Sequence, residues 1–140
     1  MTSHPAVTVN LWLPVVLYMA GIFALSSVSS PPELVEGVDK PVHLFLYSGL
    51  AVVLVRALSD RWRRVTLRVA LAAIAVATLY GVSDEWHQGF VPPRQVEVLD
   101  LVADGVGAAL GALGVYGVVR MRRHGTDAGP AREGGRTRRV

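Results

Sequence analysis

LVADGVGAALGALGVYGVV, residues 101–119, is an apolar run of 19 residues that carries one acidic or basic side chain, Asp104. As an α-helix it is about 28 Å long at 1.5 Å per residue, close to the roughly 30 Å hydrocarbon core of a bilayer. Three runs of 18 residues precede it, at residues 11–28, 41–58 and 65–82. Helices of soluble domains are usually shorter, at about 10–14 residues. Four runs of membrane-spanning length therefore predict an all-α protein, a four-helix transmembrane bundle. With 140 residues there is room for one domain. The composition agrees, since half the residues are hydrophobic and only 18% are charged.

Residues 1–10 contain no Lys or Arg, and the first apolar run exceeds a signal-peptide core, so it reads as a retained helix. Pro14 is expected in its first turn, where a missing N–H is tolerated. The chain has no cysteine, which excludes disulfides, thiolate metal sites and Cys nucleophiles.

Arginine sets the orientation. All but one of the 14 cations are Arg, Lys40 being the exception. Arg56, Arg61, Arg63, Arg64 and Arg68 surround the second loop, and Arg120, Arg122, Arg123, Arg132, Arg136, Arg138 and Arg139 follow the last run. Only Lys40 and Arg94 fall on the opposite side. The positive-inside rule then predicts both termini cytoplasmic. A pI of about 9.8 would suggest nucleic acid in a soluble protein. Here the cations are assigned to topology and the lipid bilayer, so no nucleic-acid partner is expected. Residues 120–140 are rich in Gly and Arg without apolar period and read as a disordered basic cytoplasmic tail.

The chemistry-bearing side chains gather at the other face. Asp39, His43 and Tyr47 are spaced i, i+4, i+8 and form one helical stripe, next to Lys40. Pro41 suits the first turn of that helix, and Asp39 its N-terminus. The third run ends in Asp84, Glu85, His87 and Gln88, followed by Gly89 as an expected helix stop and by Pro92-Pro93-Arg94. Asp100 and Asp104 lie one turn apart in the fourth run. A carboxylate inside an apolar span is costly unless paired, protonated or hydrated. The same face continues into Gly107 and Gly111, a small-xxx-small pattern that lets another helix approach and is a candidate oligomer contact.

These segments resemble the VanZ-like family of small bacterial membrane proteins. The resemblance rests on Asp39-Lys40 with His43 and Tyr47, on Asp84-Glu85-x-His87-Gln88, on Pro93-Arg94, and on Asp100-xxx-Asp104-xx-Gly107-xxx-Gly111. Ser26-Ser27, ending the first run, is similar to a Ser found there in the family. Two departures stand out: Pro92-Pro93-Arg94 where Pro-Gly-Arg is usual, and Asp104 where Asn is common. The resemblance implies a four-helix domain over residues 1–119 in the cell membrane. It also implies a link to antibiotic resistance, through the namesake's association with the glycopeptide teicoplanin, and it supplies no reaction.

The outward-facing polar site admits three readings. Its residues are interhelical glue, an enzyme centre acting on a lipid-linked substrate, or a pocket for a lipid, cell-wall intermediate or amphiphilic glycopeptide at the outer leaflet. In the enzyme reading His43 or His87 is the base, Asp84 or Asp100 orients it, and Lys40 or Arg94 binds an anion. Two histidines and several carboxylates could hold a divalent metal, although no spacing-diagnostic metal motif occurs, so no cofactor is assigned. The cytoplasmic halves of the spans lack ionisable groups apart from Arg56 and Arg68. A one-sided pocket is therefore expected in preference to a route across the membrane.

Overall fold

The computed structural model describes residues 5–29 and 39–127, which form four helices: α1 (Pro5–Ser26), α2 (Asp39–Leu58), α3 (Leu67–Gln88) and α4 (Val98–Asp127). All four are long and apolar enough to cross a membrane, and no strand occurs among the described residues. Helices consecutive in the chain run antiparallel, so α2 and α4 run parallel. At one end Arg123 Nη2 donates to Arg63 O (3.3 Å) and Arg56 Nη1 to Asn10 O (3.5 Å). At the other end Ser26 meets Asp84, and His43 meets Asp104. The Arg-rich segments therefore share one end of the bundle and the polar cluster occupies the other.

Each of α2, α3 and α4 buries one stripe that changes chemistry along its length. On α3 the stripe is Ala70, Ala73, Ala77 and Gly81, then Asp84, Glu85 and Gln88. On α4 it runs from Asp100 and Asp104 to Ala108 and Ala112, and on α2 from Tyr47 to Leu50, Leu54 and Val55. Spacings of three and four residues keep each stripe on one face. The opposite faces show Phe45, Leu79, Leu110 and other large apolar side chains more than half exposed, the surface expected toward lipid.

Apolar surface offers little drive between helices already in lipid, so close packing has to hold them together. Helices α2 and α4 achieve it through glycine. A Cβ on Gly107 would run into the carbonyl oxygen of Leu44, and one on Gly111 into that of Ser48. The Gly107/Gly111 face is thus used inside the chain against α2. It is not left for a second copy, which corrects the expected oligomer contact. Helix α1 is peripheral: it packs on α2 and α3 and makes no contact with α4 among the described residues.

Other expectations change at the helix ends. Helix α1 begins at Pro5, so Pro14 lies in its interior and not in its first turn. A proline suits that first position, and residues 6–10 contain no helix breaker. Helix α4 continues to Asp127, so residues 120–127 are helical where a disordered tail was expected; residues 128–140 lie outside the described residues. The extension is anchored by Arg120 Nη1 on the Tyr116 hydroxyl (3.1 Å) and by the Arg123 bond to the α2–α3 turn. Helix α3 begins behind Thr66, whose hydroxyl accepts from Val69 N (3.3 Å), and runs through the polar segment to Gln88. Gly89 follows as the expected stop, in right-handed conformation with φ −59°.

Gly107→Ala should lower the unfolding free energy in mixed micelles by about 1–3 kcal/mol, the usual cost of overpacking. Gly114 has open space around its Cβ position. Gly114→Ala should therefore be neutral or stabilising by up to about 1 kcal/mol. Equal losses for the two variants would contradict the α2–α4 packing.

Candidate functional site

The deepest member of the polar end is Asp104, which has no exposed surface. Its Oδ1 lies 2.9 Å from His43 Nδ1, and with an ionised carboxylate as partner that ring nitrogen is assigned as the donor. Oδ2 accepts no hydrogen bond among the described residues and rests against Gly81, where an added Cβ would sit 2.7 Å from it. Glycine on α3 is what admits a carboxylate from α4. Tyr47, one turn below His43, is fully buried, and its hydroxyl has no partner among the described residues. The His43 and Tyr47 rings lie nearly parallel, 6.3 Å apart.

Lys40 lies at the mouth. Its Nζ is 2.8 Å from Asp39 Oδ2, 2.9 Å from Glu97 Oε2 and 3.6 Å from Asp100 Oδ1. Glu97, just before α4, also donates its backbone N–H to Glu85 Oε2 (3.1 Å). Gln88 then links the halves of the site. Its Nε2 donates to Glu85 Oε1 and Asp84 Oδ2, both at 3.2 Å, and its Oε1 accepts from Arg94 Nη1 at 3.1 Å. Ser26 Oγ donates to Asp84 Oδ1 at 2.6 Å, tying the end of α1 to α3.

Two expected roles are corrected by this geometry. Arg94 forms no ion pair with a carboxylate among the described residues: Nε donates to Val28 O and Nη2 to Leu25 O, both at 3.1 Å, beside the bond to Gln88. It holds the carbonyl of Leu25 in the last turn of α1 and that of Val28 just beyond it. Lys40 is committed to carboxylates, whereas Arg94 places three of its five N–H donors on uncharged acceptors. His87 stands apart from the cluster. Ser27 Oγ donates to Phe23 O at 2.6 Å and accepts from His87 Nε2 at 3.0 Å, and the imidazole stacks on Phe23 with centroids 4.3 Å apart. The orienting partner of His43 is Asp104, not Asp84 or Asp100.

Asp39, Lys40, His43, Tyr47, Asp84, Glu85, Gln88, Arg94, Asp100 and Asp104 thus converge at one end of the bundle, and His87 does not join them. Sequence reasoning missed Glu97 and the room-making Gly81. The signal for Glu97 was an acidic residue just ahead of the fourth apolar run; its meeting with Lys40 is a tertiary contact. For Gly81 no signal existed, because it needs the partner helix.

Between α1, α2 and α3 this end holds a cavity of about 270 Å³. Its lining is mixed, with apolar Ile22, Leu25, Val28, Val42 and Leu46 and polar Ser26, Asp39, His43, Tyr47, Asp84, Gln88 and Arg94. Four apolar helices around a one-ended polar site define a multi-pass membrane protein. The VanZ/LLP1 family model matches residues 4–120, and the chain belongs to that family. No curated protein and no solved structure matches it.

Arg94→Ala should release the end of α1 while α2–α4 hold. Amide exchange at residues 23–29 should accelerate by at least about tenfold, since hydrogen bonds from a charged donor contribute roughly 1.5–3 kcal/mol. Arg94→Lys should not restore protection, because an ammonium lacks the planar fork that reaches three acceptors together.

Proposed function

We propose that the chain is a cell-membrane protein with both termini cytoplasmic, whose outward-facing cavity binds the polar end of an amphiphile from the outer leaflet. The observation that carries this reading is the mixed lining of the cavity. Its aliphatic members on α1 and α2 suit an acyl chain, and its buried polar members suit a headgroup. The Arg-rich opposite end supports the orientation through the positive-inside rule.

The lining also restricts the headgroup. Lys40 is paired with carboxylates within the protein, and Asp39, Asp84 and the Tyr47 hydroxyl border the cavity together with Arg94. A bare phosphate would meet two carboxylates there against one guanidinium. Hydroxyl or amine groups would instead donate to the carboxylates and pair with the orphan Tyr47 oxygen. Among the candidate ligands, an amphiphile rich in such donors therefore fits better than a lipid-linked phosphate. Polar contacts between membrane helices contribute only about 0.6 kcal/mol on average. The buried hydroxyl and the cavity beside it favour binding over glue alone.

Two measurements test the reading. In a chain without native cysteine, a cysteine at Gln95 should react with a membrane-impermeant maleimide in intact cells. One at Asp60 should react only after permeabilisation, and the reverse pattern would refute the orientation. For the cavity, a photoreactive lipid with an ethanolamine headgroup should label residues 42–47 in nanodiscs. Leu46→Trp, which fills the cavity, should cut that labelling by about tenfold, the equivalent of 1.4 kcal/mol. Competition by teicoplanin would assign a glycopeptide ligand, and labelling without competition a membrane lipid. Equal labelling of wild type and Leu46→Trp would sink the pocket.

A further inference from the structure

The polar end carries more buried negative charge than its own cations can offset. Asp84, Glu85, Asp100 and Asp104 are all buried. Lys40 reaches only Asp100 among these, at 3.6 Å, while its closer contacts are the more exposed Asp39 and Glu97. No Lys or Arg forms an ion pair with Asp84, Glu85 or Asp104 among the described residues. Uncompensated buried carboxylates are expensive, and the environment of a membrane bundle makes them more so.

Two trios of side chains bring potential ligand atoms within 4.8 Å of one another. The first, Asp39, Glu97 and Asp100, surrounds Lys40 Nζ and so already holds a cation of the protein's own. The second is His43, Glu85 and Asp100, contributed by α2, α3 and α4. Among the described residues no Lys or Arg pairs with His43 or Glu85 of this trio, and Lys40 approaches only Asp100, at 3.6 Å. Asp100 is only 7% exposed, and its Oδ1 accepts no hydrogen bond among the described residues. His43 is committed through Nδ1 to Asp104, which fixes the tautomer and leaves Nε2 with the free lone pair. A carboxylate behind a ligating imidazole is the usual outer partner of a metal-binding histidine.

The geometry points to a divalent transition-metal site formed by His43, Glu85 and Asp100, with Asp104 positioning the imidazole. One imidazole and two carboxylates suit Zn²⁺ or Mn²⁺ better than Mg²⁺ or Ca²⁺, which prefer oxygen alone. The ion joins three helices at the end of the bundle and neutralises the charge that Lys40 leaves uncompensated. The site shares His43 with the cavity but does not depend on what the cavity holds, so amphiphile binding and ion binding fail separately.

The test uses the untagged full chain in detergent, stripped with chelator and titrated with Zn²⁺ alone. Wild type should bind one equivalent and gain thermal stability as Zn²⁺ is added. X-ray absorption should show one imidazole among nitrogen and oxygen ligands at roughly 2.0–2.2 Å. His43→Gln and Asp100→Asn should lose stoichiometric binding and the thermal shift. Asp104→Asn should weaken affinity by about 10- to 100-fold, as loss of an outer partner does. His87→Gln, whose ring is held by Ser27 and Phe23, should bind as wild type does. If Asp100→Asn does not fold, Glu85→Gln makes the same test. Failure of wild type to bind one equivalent, or equal binding by His43→Gln and His87→Gln, overturns the site.

Discussion

A carboxylate with no exposed surface, inside a bundle whose outer faces are apolar, is the constraint around which this structure is arranged. Asp104 is tolerated because two other helices shape themselves to it. Gly81 on α3 leaves out the side chain that would collide with Oδ2, and His43 on α2 offers a ring nitrogen at 2.9 Å from Oδ1. Both conditions depend on how near the helices come. The contact of Gly107 and Gly111 with the α2 backbone sets the distance across which His43 can reach. In lipid, where apolar contact alone gives little preference for one partner over another, small residues and a few polar bonds decide the packing.

The same arrangement accounts for the one-sided character of the protein. The buried stripes of α2, α3 and α4 are alanine, glycine and aliphatic toward the Arg-rich end, and polar toward the other. Toward the Arg-rich end the buried stripes of α2, α3 and α4 close on one another through small and aliphatic side chains. Toward the polar end, side chains of several lengths and charges hold the helices by hydrogen bonds and leave space between them. Helix α1 is held there mainly through its end, by Ser26 on Asp84 and by Arg94 on two terminal carbonyls. The cavity lies where this peripheral helix meets α2 and α3.

Cations that look available in a sequence can be drawn into other contacts in a fold. Arg94 and Lys40 are the two positive charges at the polar end among the described residues, and either would seem suited to a carboxylate of the cluster. The structure gives Arg94 three uncharged acceptors, while Lys40 stands among three carboxylates. The buried carboxylates Asp84, Glu85 and Asp104 are left without a Lys or Arg ion pair among the described residues.

Sequence alone determined the helical class, the number of spans and the clustering of most polar candidates at one end. These follow from composition over windows of about 18 residues and from a fixed helical period, which are local properties of the chain. The pairing of Asp39, His43 and Tyr47 along one stripe was legible for the same reason. Helix ends were less so: α1 takes in Pro5 and α4 extends to Asp127, because ends depend on capping and on contacts such as Arg123 with Arg63. Only the tertiary structure decided which carboxylate meets His43, that His87 turns instead to α1, and that the glycines of α4 serve α2 within the chain. Each of those outcomes compares several chemically equivalent partners, and the choice among them is made by interhelical distance and rotation, which no single helix encodes.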